Sequence, residues 1–233
     1  MRILVDYDNV PSIVRGQGPL YLADRLFECL RSELGDESRV DIRLYGGWYE
    51  QDKLTRIAQD LVAKLSDFPH PMWIQNSPAR LISINATLAQ SLEVLPKKHL
   101  HGTYRLRPAA RRLSCESPQQ SGCVVSPCVL AALADFINNE TCPQVGCSVT
   151  RRMLLRGAGE QKLVDTMLVA DLIYLSRIGE ASVGIVSSDD DVWPGIISAL
   201  VAGTRVLHVL TGNPTSPIGY TDGLPGHYIK LSM

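Results

Sequence analysis

The sequence predicts an α/β fold, a three-layer α-β-α sandwich around a mostly parallel central sheet, and three observations carry that expectation. Two apolar runs, Ile3-Leu4-Val5 and Val183-Gly184-Ile185-Val186, are short and unbroken, as strands covered on both faces are. Leucines at helical spacing (Leu22, Leu26, Leu30, Leu34) follow the first, and a second helical stripe (Leu163, Met167, Ala170, Tyr174) precedes the other. Alternation of this kind implies right-handed crossovers and parallel neighbours.

The elements follow in order. Residues 2–5 form the first strand, and residues 19–34 a helix stopped by Gly35. Residues 39–45 alternate Val40, Ile42 and Leu44 before Gly46-Gly47, which predicts a second strand. Leu54, Ile57, Leu61 and Leu65 place a helix over 50–65. Trp73, Ile74, Leu81, Ile82 and Ile84 suggest strand structure around Asn76-Ser77-Pro78, and residues 92–107 a further strand. Residues 108–148 break the rhythm with Ser, Pro, Gln and Cys and hold one short helix, 129–138. Order returns at Lys162 with a helix in which Leu168, Leu172 and Leu175 widen the apolar stripe. A strand over 183–186, a helix over 192–201 and a strand over 205–209 come next. Residues 212–226 then read as surface loop and residues 228–231 as a short edge strand.

At 233 residues, 45% hydrophobic and 20% charged, the chain reads as one globular domain over 1–233 that needs no disulfide staples. Its net charge of −1 hides an asymmetry: residues 95–162 carry +6 and the remainder −7. The basic, cysteine-rich stretch at approximately 95–160 is therefore read as an insertion. An acidic site beside a basic segment suits an enzyme that grips a polyanion. The first strand begins by residue 2 or 3, leaving no room for a signal peptide, and no apolar run is long enough to span a bilayer. A cytoplasmic protein without membrane association is expected.

In that compartment cysteines are thiols or metal ligands. Five of the six lie between Cys115 and Cys147. Cys123, Cys128, Cys142 and Cys147 form two pairs flanking a short helix, a possible structural zinc site. The alternative is small buried hydrophobes and exposed loop thiols.

Carboxylates carry the functional signal. Asp6 closes the first strand, Asp165 opens a helix, and Asp189 and Asp191 follow the strand at 183–186. Ligands of open α/β sheets bind outside the carboxyl ends of strands, and acids gathered there repel one another unless a cation joins them. Asp6, Asp165, Asp189 and Asp191 are thus the candidate catalytic and metal-ligating residues for Mg²⁺ or Mn²⁺, which take oxygen ligands. Asn9 and Ser187 can orient carboxylates without adding charge. Asp8 joins the site or faces away, since strand residues alternate. Asp171 lies about 240° round the helix from Asp165 and is not expected at the same metal. The competing reading makes these acids turn formers and helix caps.

Three segments carry a family resemblance. Val5-Asp6-Tyr7-Asp8-Asn9 resembles the first-strand signature of NYN domains, a branch of the PIN-like ribonuclease superfamily. The stretch from Lys162 through Asp165 to Asp171 is similar to that family's Lys-x-x-Asp helix with a second Asp. Ser187-Ser188-Asp189-Asp190-Asp191-Val192 resembles its Ser-Gly-Asp-x-Asp-Phe turn, with Ser188 and Val192 standing where the family has Gly and Phe. The resemblance covers about 110 residues at the two ends and nothing between about 75 and 160. It implies a metal-dependent hydrolase of RNA, an endoribonuclease, with RNA as partner. The cation would lower the pKa of a water and offset charge developing on the phosphate.

The basic segment supplies the candidate RNA grip, Arg111, Arg112, Arg151 and Arg152, with His99 and His101 read as part of the basic surface. Two rival readings stay open. Asp6-x-Asp8 also resembles the opening motif of haloacid-dehalogenase-like phosphatases, in which the first Asp is a nucleophile, although that leaves Asn9 and Asp165 without a role. A non-cleaving NYN-like module that binds RNA or protein is the other. The RNA target, the mode of attack, the metal and any homo-oligomer are not legible.

Overall fold

The computed structural model describes residues 1–74, 80–106, 113–126, 128–155, 159–211, 220 and 223–233. It is an α/β structure with, among the described residues, seven α-helices and a mixed seven-stranded sheet. In chain order these are β1 (Arg2–Asp6), α1 (Ser12–Gln17), α2 (Pro19–Leu30), β2 (Arg39–Tyr45), β3 (Tyr49–Glu50), β4 (Lys53–Leu54) and α3 (Arg56–Lys64). There follow β5 (His70–Ile74), β6 (Arg80–Leu88), β7 (Tyr104–Leu106), α4 (Val129–Asn139), α5 (Arg151–Leu154) and β8 (Gly159–Gln161). The chain ends with α6 (Val164–Arg177), β9 (Ser182–Val186), α7 (Trp193–Val201), β10 (Arg205–Leu210) and β11 (Tyr228–Ser232).

The large sheet has the order β11-β10-β9-β1-β2-β6-β5. Five neighbouring pairs run parallel, and β5 runs antiparallel to β6 at one edge. The expected mostly parallel sheet is thus corrected to a mixed one, because the apolar residues on either side of 75–79 form two strands that fold back on each other. β1 is central, paired with β2 through Asp6↔Tyr45 and with β9 through Val5↔Val186. Strand alternation divides its side chains: Ile3 and Val5 join one buried cluster with the α2 leucines, and Leu4 joins another with Leu168, Leu172 and Ile196.

Local chemistry explains the elements that depart from expectation. α2 opens on Pro19 after Gly18 at φ +101° and ends at Leu30, four residues early. Leu34 still reaches the core, fully buried, from the turn that follows. The helix expected from residue 50 starts only at Arg56, where the Thr55 side chain caps it by accepting from Ala58 N. Residues 49–54 instead form the β3–β4 hairpin, with Gln51 at φ 56° in its turn. The two glycines after β2 admit Trp48: a Cβ on Gly46 would lie 2.7 Å from its buried ring. In α6 the apolar face is shifted from the expected stripe, since Leu163 and Ala170 are exposed while Val164, Met167, Leu168, Leu172 and Leu175 are buried.

The chain divides into two compact units. One comprises Met1–Tyr104 with Gln161–Met233, and the other Arg105–Glu160. The basic stretch expected from about residue 95 therefore contributes residues 95–104 to the larger unit. In the smaller unit Arg151 is 4% exposed. Its guanidinium donates to the carbonyls of Leu113 and Ile137 and pairs with Glu140 at 2.6 Å. No helix among the described residues is long and apolar enough to cross a membrane.

Candidate metal centre

β1 and β9 are parallel neighbours, so the chain leaves both at the same edge of the sheet. That topology delivers Asp6, the last residue of β1, and Asp189, three residues beyond β9. The first turn of α6 brings Asp165 to the same place. One carboxylate oxygen from each of Asp6, Asp165 and Asp189 lies within 4.8 Å of the others. Among the described residues no other set of three His, Cys, Asp or Glu side chains converges in this way.

Neutral donors hold the carboxylates in register. Asn9 Nδ2 donates to Asp6 Oδ2 at 2.5 Å and to Asp189 Oδ2 at 3.1 Å, while Asn9 Oδ1 accepts from Ser188 N at 3.3 Å. The Ser187 hydroxyl donates to Asp6 Oδ2 at 3.3 Å and accepts from Asp189 N at 3.1 Å. Behind Ser187 sits His208, 1% exposed, whose Nε2 lies 2.9 Å from the Ser187 carbonyl. Because a carbonyl only accepts, Nε2 carries the hydrogen and Nδ1 accepts from the Tyr228 hydroxyl at 3.0 Å. Burial lowers His208 to about 4, opposed by the bond to Ser187, so the imidazole stays neutral.

The acids bear the marks of crowding. Asp6 is raised to about 6, by burial first and by Asp165 and Asp189, with the Asn9 hydrogen bond opposing. Asp165 is raised by burial and then by Asp189, Asp191 and Asp8. No side chain caps α6 or α7, and Asp189 does not cap the turn it precedes, so none of these acids is occupied as a helix cap. The Asp165 carboxylate has no hydrogen-bonded partner or ion pair among the described residues. Three acids gathered in this way could hold a hard divalent ion, and their all-oxygen set matches what Mg²⁺ or Mn²⁺ take.

Not every expected residue joins. Asp191 acts on Asp165 through its charge but lies outside the converging trio. Asp8 lies outside the converging trio and pairs with Arg15 at 3.0 Å, though its charge still acts on Asp165. Asp171 is fully buried and serves elsewhere. It accepts from the Tyr45 hydroxyl and Glu93 N, each at 2.7 Å, with Arg43 Nε at 3.4 Å. That network fastens α6 to β2 and to the segment after β6. Sequence reading missed it, as it missed His208, since a lone polar residue in an apolar run carries no period.

Among the grip residues, Arg111 and Arg112 lie outside the described residues, and Arg152 is exposed. Arg151 departs from the expected phosphate contact: its guanidinium is turned into the smaller unit and committed to two carbonyls and Glu140. Cys123, Cys128, Cys142 and Cys147 are all free thiols, and no three of their sulfurs converge. No family model matches the chain, nor does any curated protein or solved structure.

Proposed function

We propose that the chain is a divalent-metal-dependent ribonuclease of the NYN type, a three-layer α/β hydrolase with its site at the carboxyl edge of the sheet. The observation that carries this reading is the convergence of Asp6, Asp165 and Asp189 from three separate elements. Asp6, Asp165 and Asp189 would hold Mg²⁺ or Mn²⁺, with Asp191 adding negative charge nearby. When bound, the ion supplies electrostatic stabilisation of the phosphoryl group and a lowered pKa for water.

The protein's own share is preorganisation. Asn9 ties the carboxylates of Asp6 and Asp189 to one another, so neither has to be immobilised when the ion and substrate arrive. Ser187 fixes Asp6 from the other side, and His208 fixes Ser187. The neutral character of all three helpers keeps the attraction for cations undiluted. A phosphatase reading in which Asp8 acts as acid beside Asp6 is disfavoured by the Asp8–Arg15 ion pair and leaves Asp165 without a role. A zinc site on Cys123, Cys128, Cys142 and Cys147 has no converging sulfurs behind it and forms no part of the proposal.

The test is cleavage of labelled single-stranded RNA with Mn²⁺, Mg²⁺ or EDTA. Wild-type protein should cut with metal and not in EDTA, and Asp6→Asn, Asp165→Asn and Asp189→Asn should each lose cutting while remaining folded. Full activity in two of the three variants would remove the assignment.

A further inference from the structure

A second surface of the larger unit lies in the segment after β6. Past β6 the chain turns through residues 91–99, closed by the bridge Ser91↔His99 and by Ser91 Oγ donating to the Pro96 carbonyl at 3.1 Å. The turn exposes Lys97, Lys98 and His99, and His101 follows, also exposed. Tyr49 backs the two imidazoles. Its hydroxyl lies 2.9 Å from His99 Nδ1, and its ring meets that of His101 edge-on with centroids 4.8 Å apart. Tyr49 is 6% exposed, so it is a fixed support for two exposed rings.

This cluster is tied to the acidic site by short links. Asp6 pairs with Tyr45, and Tyr49 is four residues further along the same chain. Buried Thr103 accepts from Tyr49 N at 2.9 Å through its hydroxyl and from Lys162 N at 2.8 Å through its carbonyl. Lys162 stands three residues before Asp165. Exposed rings and two neighbouring lysines match an unpaired polynucleotide, whose bases stack on aromatic or imidazole rings while phosphates seek cations.

We propose that His99 and His101, backed by Tyr49 and flanked by Lys97 and Lys98, dock an unpaired RNA strand, a base against the imidazoles and phosphates on the lysines. The substrate class rests on the ribonuclease reading, but binding does not depend on cleavage, and the test uses that separation. Binding of a labelled, uridine-rich single-stranded RNA is measured in EDTA by anisotropy, with wild-type protein and with Asp6→Asn. His99→Ala with His101→Ala should weaken it about tenfold, within the range for loss of one stacked base. His99→Tyr with His101→Tyr, which restores stacking rings, should recover most of the affinity. Inorganic polyphosphate, which has no bases, should bind the alanine variant as it binds wild type. Lys97→Ala with Lys98→Ala should flatten the salt dependence of RNA binding by roughly 0.7 per lost contact. Wild-type RNA affinity in the folded double-alanine variant, equal loss of polyphosphate, or no RNA binding by wild type would overturn the docking surface. Ring-dependent binding without cleavage under Mn²⁺ would sink the ribonuclease reading and leave the docking surface standing.

Discussion

Asp6 concentrates the conflict that defines the site: it is 3% exposed and raised from 3.8 to about 6 by burial and its acidic neighbours. A native state that holds a proton more tightly than the unfolded chain gains stability from that proton at low pH. The gain is complete below 3.8 and is lost as pH rises through about 6. In the metal-free protein this loss amounts to about 3 kcal/mol at most, the value of the shift at 1.36 kcal/mol per unit. Asp6→Asn removes the charge and keeps an acceptor for Asn9. Urea denaturation in EDTA should therefore show the variant more stable than wild type at about pH 7.5, with the difference shrinking toward about pH 4.5. A variant of equal or lower stability at the higher pH would mean that the acids are not in electrostatic conflict. Asp6, Asp165, Asp189, Asn9 and Ser187 were legible in the sequence because strand ends and helix starts are marked by local pattern. His208 and Asp171 were not, because what makes them matter is the partner brought by a distant segment.

Among the elements, α6 depends on its anchor as much as on its apolar face. Asp171 accepts from Tyr45 and Glu93 N at once and lies in ion-pair range of Arg43. Asp171→Ala takes the acceptor from the buried Tyr45 hydroxyl and from Glu93 N, while Arg43 keeps Glu93 at 3.1 Å; each group left unsatisfied costs about 1–3 kcal/mol. Thermal melting should show a large fall, and an unchanged midpoint would show that the network contributes nothing. The end of β2 offers a second, steric case. Its Gly46-Gly47 pair read as a strand stop, but the structural reason is the Trp48 ring folded over Gly46, with Trp48 Nε1 donating to the Leu44 carbonyl at 2.9 Å. Gly46→Ala should cost about 1–3 kcal/mol by overpacking, read from the urea midpoint; a neutral result would require the indole to move freely. β2 and β10 matched their expected positions nearly residue for residue, since buried strands are short apolar runs with sharp ends. The β3–β4 hairpin did not, because Leu54, Ile57 and Leu61 share helical spacing across a boundary that only the Thr55 cap reveals.

At the scale of the molecule, the α/β class follows from strand–helix alternation, while the strand order around β1 was not legible in the sequence. Nor was the antiparallel return of β5, because a strand's direction is set by how the connecting segment closes and not by its own composition. The smaller unit was legible as a change of composition, while the inward turn of Arg151 was hidden: charge alone reads as surface. The acidic trio ties these scales together, being assembled by the sheet from residues up to 183 positions apart between Asp6 and Asp189. We propose that these three carboxylates hold one hard cation. Titration of Mn²⁺ into the chelator-stripped protein, followed by loss of the free-ion electron paramagnetic resonance signal, measures that binding. About one tightly held ion per chain is expected, displaced by Mg²⁺ and lost in Asp6→Asn, Asp165→Asn and Asp189→Asn. A wild-type protein that leaves the free Mn²⁺ signal unchanged, or variants that bind the ion as wild type does, would contradict the proposal.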